Sequence, residues 1–344
     1  MPPVTRLHWL FWNPDEHRPR ALVRIAFQTA LTVLLLLVLG FLVLGPLWGA
    51  LRTGGLSQDL ADFVATALGT TLGSGLSVVL AVWLASRFLD RRPFADLGLH
   101  LDTAWWRDFA FGLALGILLM TGIFWVEWLA GWVVVVEYLR SPAGIPFVVA
   151  IWGPVALFLV VGFYEELLAR GYWLRNLAEG LALPPLGPSG GLLLAYVLTS
   201  GVFGALHLGN PNATWTSTAN LVLAGLLLGL PVILTGELAI SIGLHITWNF
   251  FQGNVYGFPV SGLSANRVTF LAIEQRGPEL WTGGTFGPEA GLVGIGAMGV
   301  GVLLILAWIR WTRGSLALHT EWARYVPAPA SQAERLLSGE SSAP

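Results

Sequence analysis

The chain has no cysteine among its 344 residues. Disulfides and thiolate metal sites are therefore excluded, and the redox state of its compartment leaves no trace in the sequence. Charge is scarce as well: only 11% of residues are Asp, Glu, Lys or Arg, against roughly 25% in a soluble globular domain. There is no basic run to hold a nucleic acid, and a formal net charge of −2 points to no such partner. Other absences narrow the chemistry. The sequence has no P-loop and no His-Glu-x-x-His helix, which removes the usual signatures of nucleotide hydrolysis and of zincins, and no Gly-x-Ser-x-Gly elbow accompanies Ser200 or Thr199. No internal repeat is strong enough to suggest an inverted-repeat transporter.

What is present is apolar. Hydrophobic residues make up 55% of the chain, and the mean hydropathy is +0.70. Several uncharged runs reach the ~20 residues that a spanning helix needs. The sequence predicts an all-α fold, a polytopic membrane helix bundle of about eight transmembrane helices, because only helices or closed barrels satisfy their backbone in lipid. The spans fall near 25–49, 62–87, 109–134, 145–172, 190–208, 217–235, 237–253 and 290–310. The first run is too long for a signal-peptide core and reads as a retained span. The 17 tryptophans suit interfacial belts.

Loop arginines alternate. The head (Arg6, Arg18, Arg20, Arg24), the second loop (Arg87, Arg91, Arg92, Arg107), the fourth (Arg170, Arg175) and the tail (Arg310, Arg313, Arg324, Arg335) are richer than the loops between them. The positive-inside rule then places both termini in the cytoplasm of a cell-membrane protein. The head, with Trp9, Phe11 and Trp12, reads as an interfacial anchor. The organisation expected is 1–89 for that head and two spans, 90–255 for a membrane core, 256–325 for an outer loop and the last span, and 326–344 for a disordered tail rich in Pro, Ser and Ala. Small-residue pairs at Gly69/Gly73, Gly112/Gly116 and Gly225/Gly229 suit close helix packing, within the bundle or between copies. Oligomeric state is not legible.

The chemistry lies in a few polar residues inside apolar runs, where ionisable groups are costly and usually serve function. Glu165 and Glu166 end the fourth run in Phe163-Tyr164-Glu165-Glu166-Leu167-Leu168-Ala169-Arg170. They point about 100° apart on a helix, and Arg170 lies on the face of Glu166 one turn later. Glu166 is expected to pair with Arg170, leaving Glu165 free as a general base; the bland alternative is an interfacial charge cluster. His207 closes the fifth run after Phe203 and can activate water, bind a metal or simply interact with helix-end carbonyls. His245 and Asn249 share a helix face at i, i+4, suited to oxyanion stabilisation or to plain interhelical hydrogen bonding. Glu127 and Glu237 read as interface residues, and Ser200 and Thr199 as weak nucleophile candidates.

Glu165-Glu166-x-x-x-Arg170, Phe203-x-x-x-His207 and His245-x-x-x-Asn249, in that order on successive spans, resemble the CPBP family of CAAX-processing and bacteriocin-processing membrane proteases, related to the type II CAAX prenyl endopeptidases. Arg92-Pro93-Phe94-Ala95-Asp96-Leu97-Gly98-Leu99 resembles the segment that leads into the core in many bacterial members, and the likeness covers about 90–255. The resemblance implies an eight-helix bundle with a cavity open to the cytoplasm and an endopeptidase acting on a membrane-associated protein or peptide in the bilayer. Glu165 would activate the water, supported by Glu166 and Arg170; His207 would hold or polarise that water; His245 and Asn249 would stabilise the oxyanion. No cofactor is expected on this reading, with Asn249 fitting an oxyanion better than a metal. The alternative is zinc on Glu165, His207 and His245. Outside the family, the same residues suit a proton-coupled transporter or channel, or a non-catalytic scaffold or immunity factor. One expectation is awkward. Glu165 falls toward the cytoplasmic end of its span and His207 at the outer end of the next, so either span five starts later or span four extends well beyond the membrane.

Overall fold

The computed structural model describes residues 11–325, apart from 56–57, 59–60, 62–63, 66–67, 143 and 265–266. The anchor residue Trp9 and the whole 326–344 tail lie outside the described residues. Among the described residues, seven helices are long and apolar enough to cross a membrane: α1 (Ala21–Thr53), α2 (Gly73–Asp90), α3 (Thr103–Leu129), α4 (Phe147–Leu181), α5 (Gly187–Gly209), α6 (Trp215–Thr235) and α8 (Leu292–Arg313). Between the last two runs α7 (Ala239–Phe250), continued by a π turn over Phe251–Val255. The protein is a polytopic helical bundle. Two short antiparallel pairs accompany it, β1 (Trp12–Asn13) with β2 (Arg18–Pro19), and β3 (Val133–Arg140) with β4 (Thr269–Gln275).

The bundle is organised around α7. Every residue from Ala239 to Trp248 is buried, so this helix meets protein on all sides, and its sequence lets neighbours come close. Gly112 of α3 faces the Ile240 backbone, Gly243 faces the Phe109 carbonyl, and Gly162 of α4 would place a Cβ 2.6 Å from Ile246. Small residues at such crossings allow backbone approach in lipid, where no hydrophobic drive pulls helices together. Gly225 and Gly229 likewise pack α6 against Ser200 and Tyr196 of α5. Two of the three small-residue pairs are thus used inside the bundle. These contacts also fix direction: α3 runs parallel to α7, while α4 and α6 run antiparallel to it. In α6, Pro231 removes one backbone donor. Nearby carbonyls at Leu226 and Leu228 accept from Tyr196 Oη (2.6 Å) and Ser241 Oγ (2.6 Å), which ties the Pro-bearing turn to α5 and α7.

Several boundaries differ from the sequence expectation, two of them with consequences for the fold. Span three ends at Leu129 rather than 134, because Gly131 takes a left-handed φ of 72° and the Val133–Val136 run enters β3. A β-branched run suits the pleated pairing with β4, and its register shifts between Val135 and Glu137. Span four continues to Leu181, not 172.

The two ends of the bundle differ. At one, Glu179 receives Arg18 Nη2 (2.8 Å), Arg24 Nη2 (3.1 Å) and Arg92, while Asp90 receives Arg24 Nη1 (2.6 Å). All five side chains are almost fully buried. The C-terminal strap covers them, with Tyr325 3.4 Å under the Arg18 guanidinium and Trp322 against Arg175. The 92–99 segment is built into this end: Gly98 O accepts from Trp105 Nε1 (2.9 Å) and from the Leu238 amide (3.0 Å), joining α3 to the start of α7. We call this the arginine-rich end. The opposite end carries the β3–β4 pair, the α5–α6 turn and the 256–291 segment.

Candidate active site

A cavity of ≈ 1110 Å³ enters the bundle from the end opposite the arginines. Its wall is largely apolar, from Leu157, Phe158, Leu228 and Leu244, and holds the polar side chains of Glu165, His207, His245 and Asn249. The four residues singled out in the sequence therefore share one chamber. The depth problem resolves through α4. At 35 residues it is about 52 Å long at 1.5 Å per residue, well beyond the ~30 Å hydrocarbon core. Glu165 consequently lies near the middle of that helix rather than at its end, and the chamber reaches down to it.

Glu166 is not on the wall. It is fully buried behind it, where Oε1 accepts from Arg170 Nη1 (2.9 Å) and lies 2.7 Å from His245 Nδ1. The expected pairing with Arg170 is present, and the carboxylate does a second job that sequence reasoning missed: it anchors the imidazole. A carboxylate accepts, so Nδ1 carries the proton, and Nε2 is turned toward Glu165, 3.9 Å from Oε2. Arg170 is itself fixed by its Nη2 bond to Gly225 O (3.1 Å) and lies 4.4 Å from the centre of the Phe203 ring. Phe203 thus has a definite place, its ring also 4.9 Å from that of His207 and 6.2 Å from that of His245. The chain after Glu166 is a π segment, Leu167–Leu174. Such wide turns occur often at functional sites, where they re-aim side chains.

Glu165 is different in kind. Its side chain is 25% exposed, and the nearest donor is Tyr164 Oη at 3.5 Å. His207 gives Nδ1 to the Phe203 carbonyl at 2.8 Å. A carbonyl only accepts, so the neutral ring keeps its Nε2 lone pair for the cavity. Asn249 follows His245 by one turn of α7 on the same wall. Among the described residues, no three His, Cys, Asp or Glu side chains come close enough to hold a metal ion. In both His207 and His245 it is Nδ1 that is bonded within the protein, which leaves each Nε2 toward the cavity for a water or a metal ion alike.

Sequence reasoning missed one acid of the chamber. Glu289 lines it near Asn210, Ser261 and Arg267. Its Oε1 accepts the Ser261 amide (2.5 Å) and Ser261 Oγ (3.3 Å), and Gln252 Nε2 donates to Oε2. Burial pushes the Glu289 carboxyl up to about 7, against the lowering effect of those donors. In sequence it is one acid in a glycine-rich loop, with nothing to mark it. Glu127 and Glu237 stay outside the chamber, bonded to Gln275 Nε2 (2.9 Å) and His100 Nδ1 (2.6 Å). Thr199 and Ser200 give their hydroxyls to helix carbonyls of α5 and do not line the cavity.

One implication of the resemblance does not survive in combination. Cytoplasmic termini and a cavity open to the cytoplasm exclude one another here. The described chain ends, Phe11 to Arg24 and Trp322 to Tyr325, are at the closed end of the bundle, opposite the mouth.

Comparison with known proteins agrees with the motifs. The chain is 28% identical over 198 residues to the uncharacterized protein YyaK of Bacillus subtilis (strain 168), an alignment that covers 53% of this chain. The matched stretch spans 61% of the length of that relative. No solved structure matches. Residues 147–251 of this multi-pass membrane protein, which run from the start of α4 to the end of α7 and supply Glu165, Glu166, Phe203, His207, His245 and Asn249, match the Rce1-like type II CAAX prenyl endopeptidase family.

Proposed function

We propose that the protein is an intramembrane endopeptidase that hydrolyses a peptide bond of a membrane-associated protein or peptide by direct attack of water. The observation that carries this reading is the pair of carboxylates on either side of His245. Glu166 is sealed behind the wall and bonded to Nδ1 at 2.7 Å; Glu165 is on the wall, 3.9 Å from Nε2. A gap of that size accommodates a water touching both groups. Glu165 takes the proton from that water as it attacks the scissile carbonyl, and returns it to the leaving amine. His207 offers its Nε2 lone pair to the same water.

The charges support the division of labour. Glu166 and Arg170 cancel as a buried pair. With Glu165 ionised, a protonated His245 brings the four-residue cluster to zero net charge, which is the least costly state in a low-dielectric chamber. Nε2–H and the Asn249 carboxamide are then the donors nearest a developing oxyanion, in a site already set before the reaction. Direct attack by water forms no covalent intermediate, and neither Ser200 nor Thr199 faces the cavity. Both termini are assigned to the cytoplasm on the arginine distribution.

The test is cleavage of a fluorogenic peptide panel by purified protein in detergent, with and without a strong chelator. An unchanged rate is expected. A rate lost with chelator and restored by zinc would move Glu165, His207 and His245 from acid–base roles to metal ligation and overturn the proposal.

A further inference from the structure

We infer that the cavity receives its substrate from the non-cytoplasmic side of the membrane, so the polypeptide it takes is one exposed on that face with its cleaved bond inside the outer half of the bilayer. The chemistry rests on the endopeptidase reading above; the side of entry rests on geometry and charge.

The wall residues sort by position along their helices. The cavity meets Trp48 near the end of α1, Ser74 at the start of α2, Gly153 to Trp173 along α4, Leu206 to Asn210 at the end of α5, and Leu221 to Leu228 near the middle of α6. It then takes the second half of α7, the 260–268 segment, and Met298 early in α8. Apart from Leu168, Ala169 and Trp173, which carry the wall further along α4, these residues lie toward one end. None of the 86–107, 175–190 or 310–325 stretches contributes to the wall, and that far end is closed by the buried network on Asp90 and Glu179.

Arginine is distributed in the opposite sense. Among the described residues, the connections at the mouth end hold Arg52, Arg140, Arg267 and Arg276. The closed end holds Arg18, Arg20 and Arg24, three more in Arg87–Arg92, Arg107, Arg175, and three in Arg310–Arg324. The positive-inside bias counts Lys and Arg near the span ends and is not a net-charge rule. Pairing of several of these arginines with acids therefore does not weaken it. The closed end is cytoplasmic, and the mouth faces away from the cytoplasm.

The mouth also says what enters. Its walls are mostly apolar, and Trp48 of α1 and Ala65, ahead of α2, belong to them. An apolar, membrane-anchored segment suits this chamber better than a charged soluble peptide.

Single-cysteine variants test the side of entry, and the wild type is a ready-made cysteine-free control. Ser264→Cys and Thr285→Cys are exposed positions at the mouth end; Thr103→Cys and Ser315→Cys are exposed at the closed end. Each is treated in intact cells with a membrane-impermeant maleimide, and full reactivity is defined in detergent. The expected result is labelling of the first pair in intact cells and of the second pair only after permeabilisation. The reverse pattern, or equal labelling of both pairs in intact cells, would overturn the inference. Two positions per face guard against one poorly folded variant. Labelling requires no turnover, so a protein that labels as expected yet cleaves nothing would count against the endopeptidase reading alone.

Discussion

The arginine-rich end and the mouth end use the same residue types to opposite purposes. At the closed end Glu179 is almost fully buried and surrounded by Arg18, Arg24 and Arg92. At the chamber Glu165 is a quarter exposed and has one distant donor. A carboxylate surrounded by three guanidiniums is spent on holding helices together. A carboxylate left under-bonded beside an imidazole is available to move a proton. Glu166 stands between these cases: it is as buried as Glu179, but one of its two partners is the imidazole that faces the site.

The comparison breaks most sharply if each end is damaged separately. Glu179→Gln should cost about 3–5 kcal/mol of stability, because it strips the partner from buried arginines. The rate per folded molecule should stay unchanged, and thermal unfolding beside a cleavage assay reads both. A fall in specific activity without loss of stability would mean the two ends are coupled. Asn249→Ala should do the converse, lowering kcat by about 10²–10³, the usual effect of losing one oxyanion donor, with stability shifted by only about 1 kcal/mol. Gly162→Ala tests the joint between α4 and α7. The added Cβ would meet Ile246 at 2.6 Å, pushing Glu165 away from His245. Since a displacement of about 1 Å can cost up to 10²-fold in rate, kcat/KM should fall within that limit; an unaltered value would show that the spacing of the two helices is not critical.

The smallest effect concerns Glu289, which is raised to about 7 by burial. Its protonated form is favoured in the folded state, so its contribution is complete below about pH 4.5 and is lost as pH rises through 7. The slope is at most about 1.4 kcal/mol per pH unit. Glu289→Gln should flatten the fall in thermal stability between pH 5 and 8. An unchanged pH profile would remove Glu289 as its source.

The contrast also shows what a sequence reveals. Glu165, His207, His245 and Asn249 were legible because polar groups stand out inside apolar runs, and the i, i+4 spacing of Glu166 and Arg170 gave their pairing directly. The Glu166–His245 bond joins residues 79 apart, and no local pattern specifies it. Arg18, Arg24 and Arg92 read as loop charges that orient the chain; that they are buried against Glu179 depends on how α1, α2 and α4 meet. Glu289 lies beyond the core motifs and reaches the chamber only through the fold of the 256–291 segment. The end of α3 was misplaced because Val133–Val136 is apolar enough for a span, and only the left-handed Gly131 before it marks the change to a strand.

The central claim is that Glu165 activates the water. It is tested most directly by the single-turnover cleavage rate of Glu165→Gln beside wild type, at matched thermal stability. The account predicts a loss of about 10²–10⁴-fold, the range of general base catalysis, with the fold intact. Wild-type cleavage by that variant would contradict it.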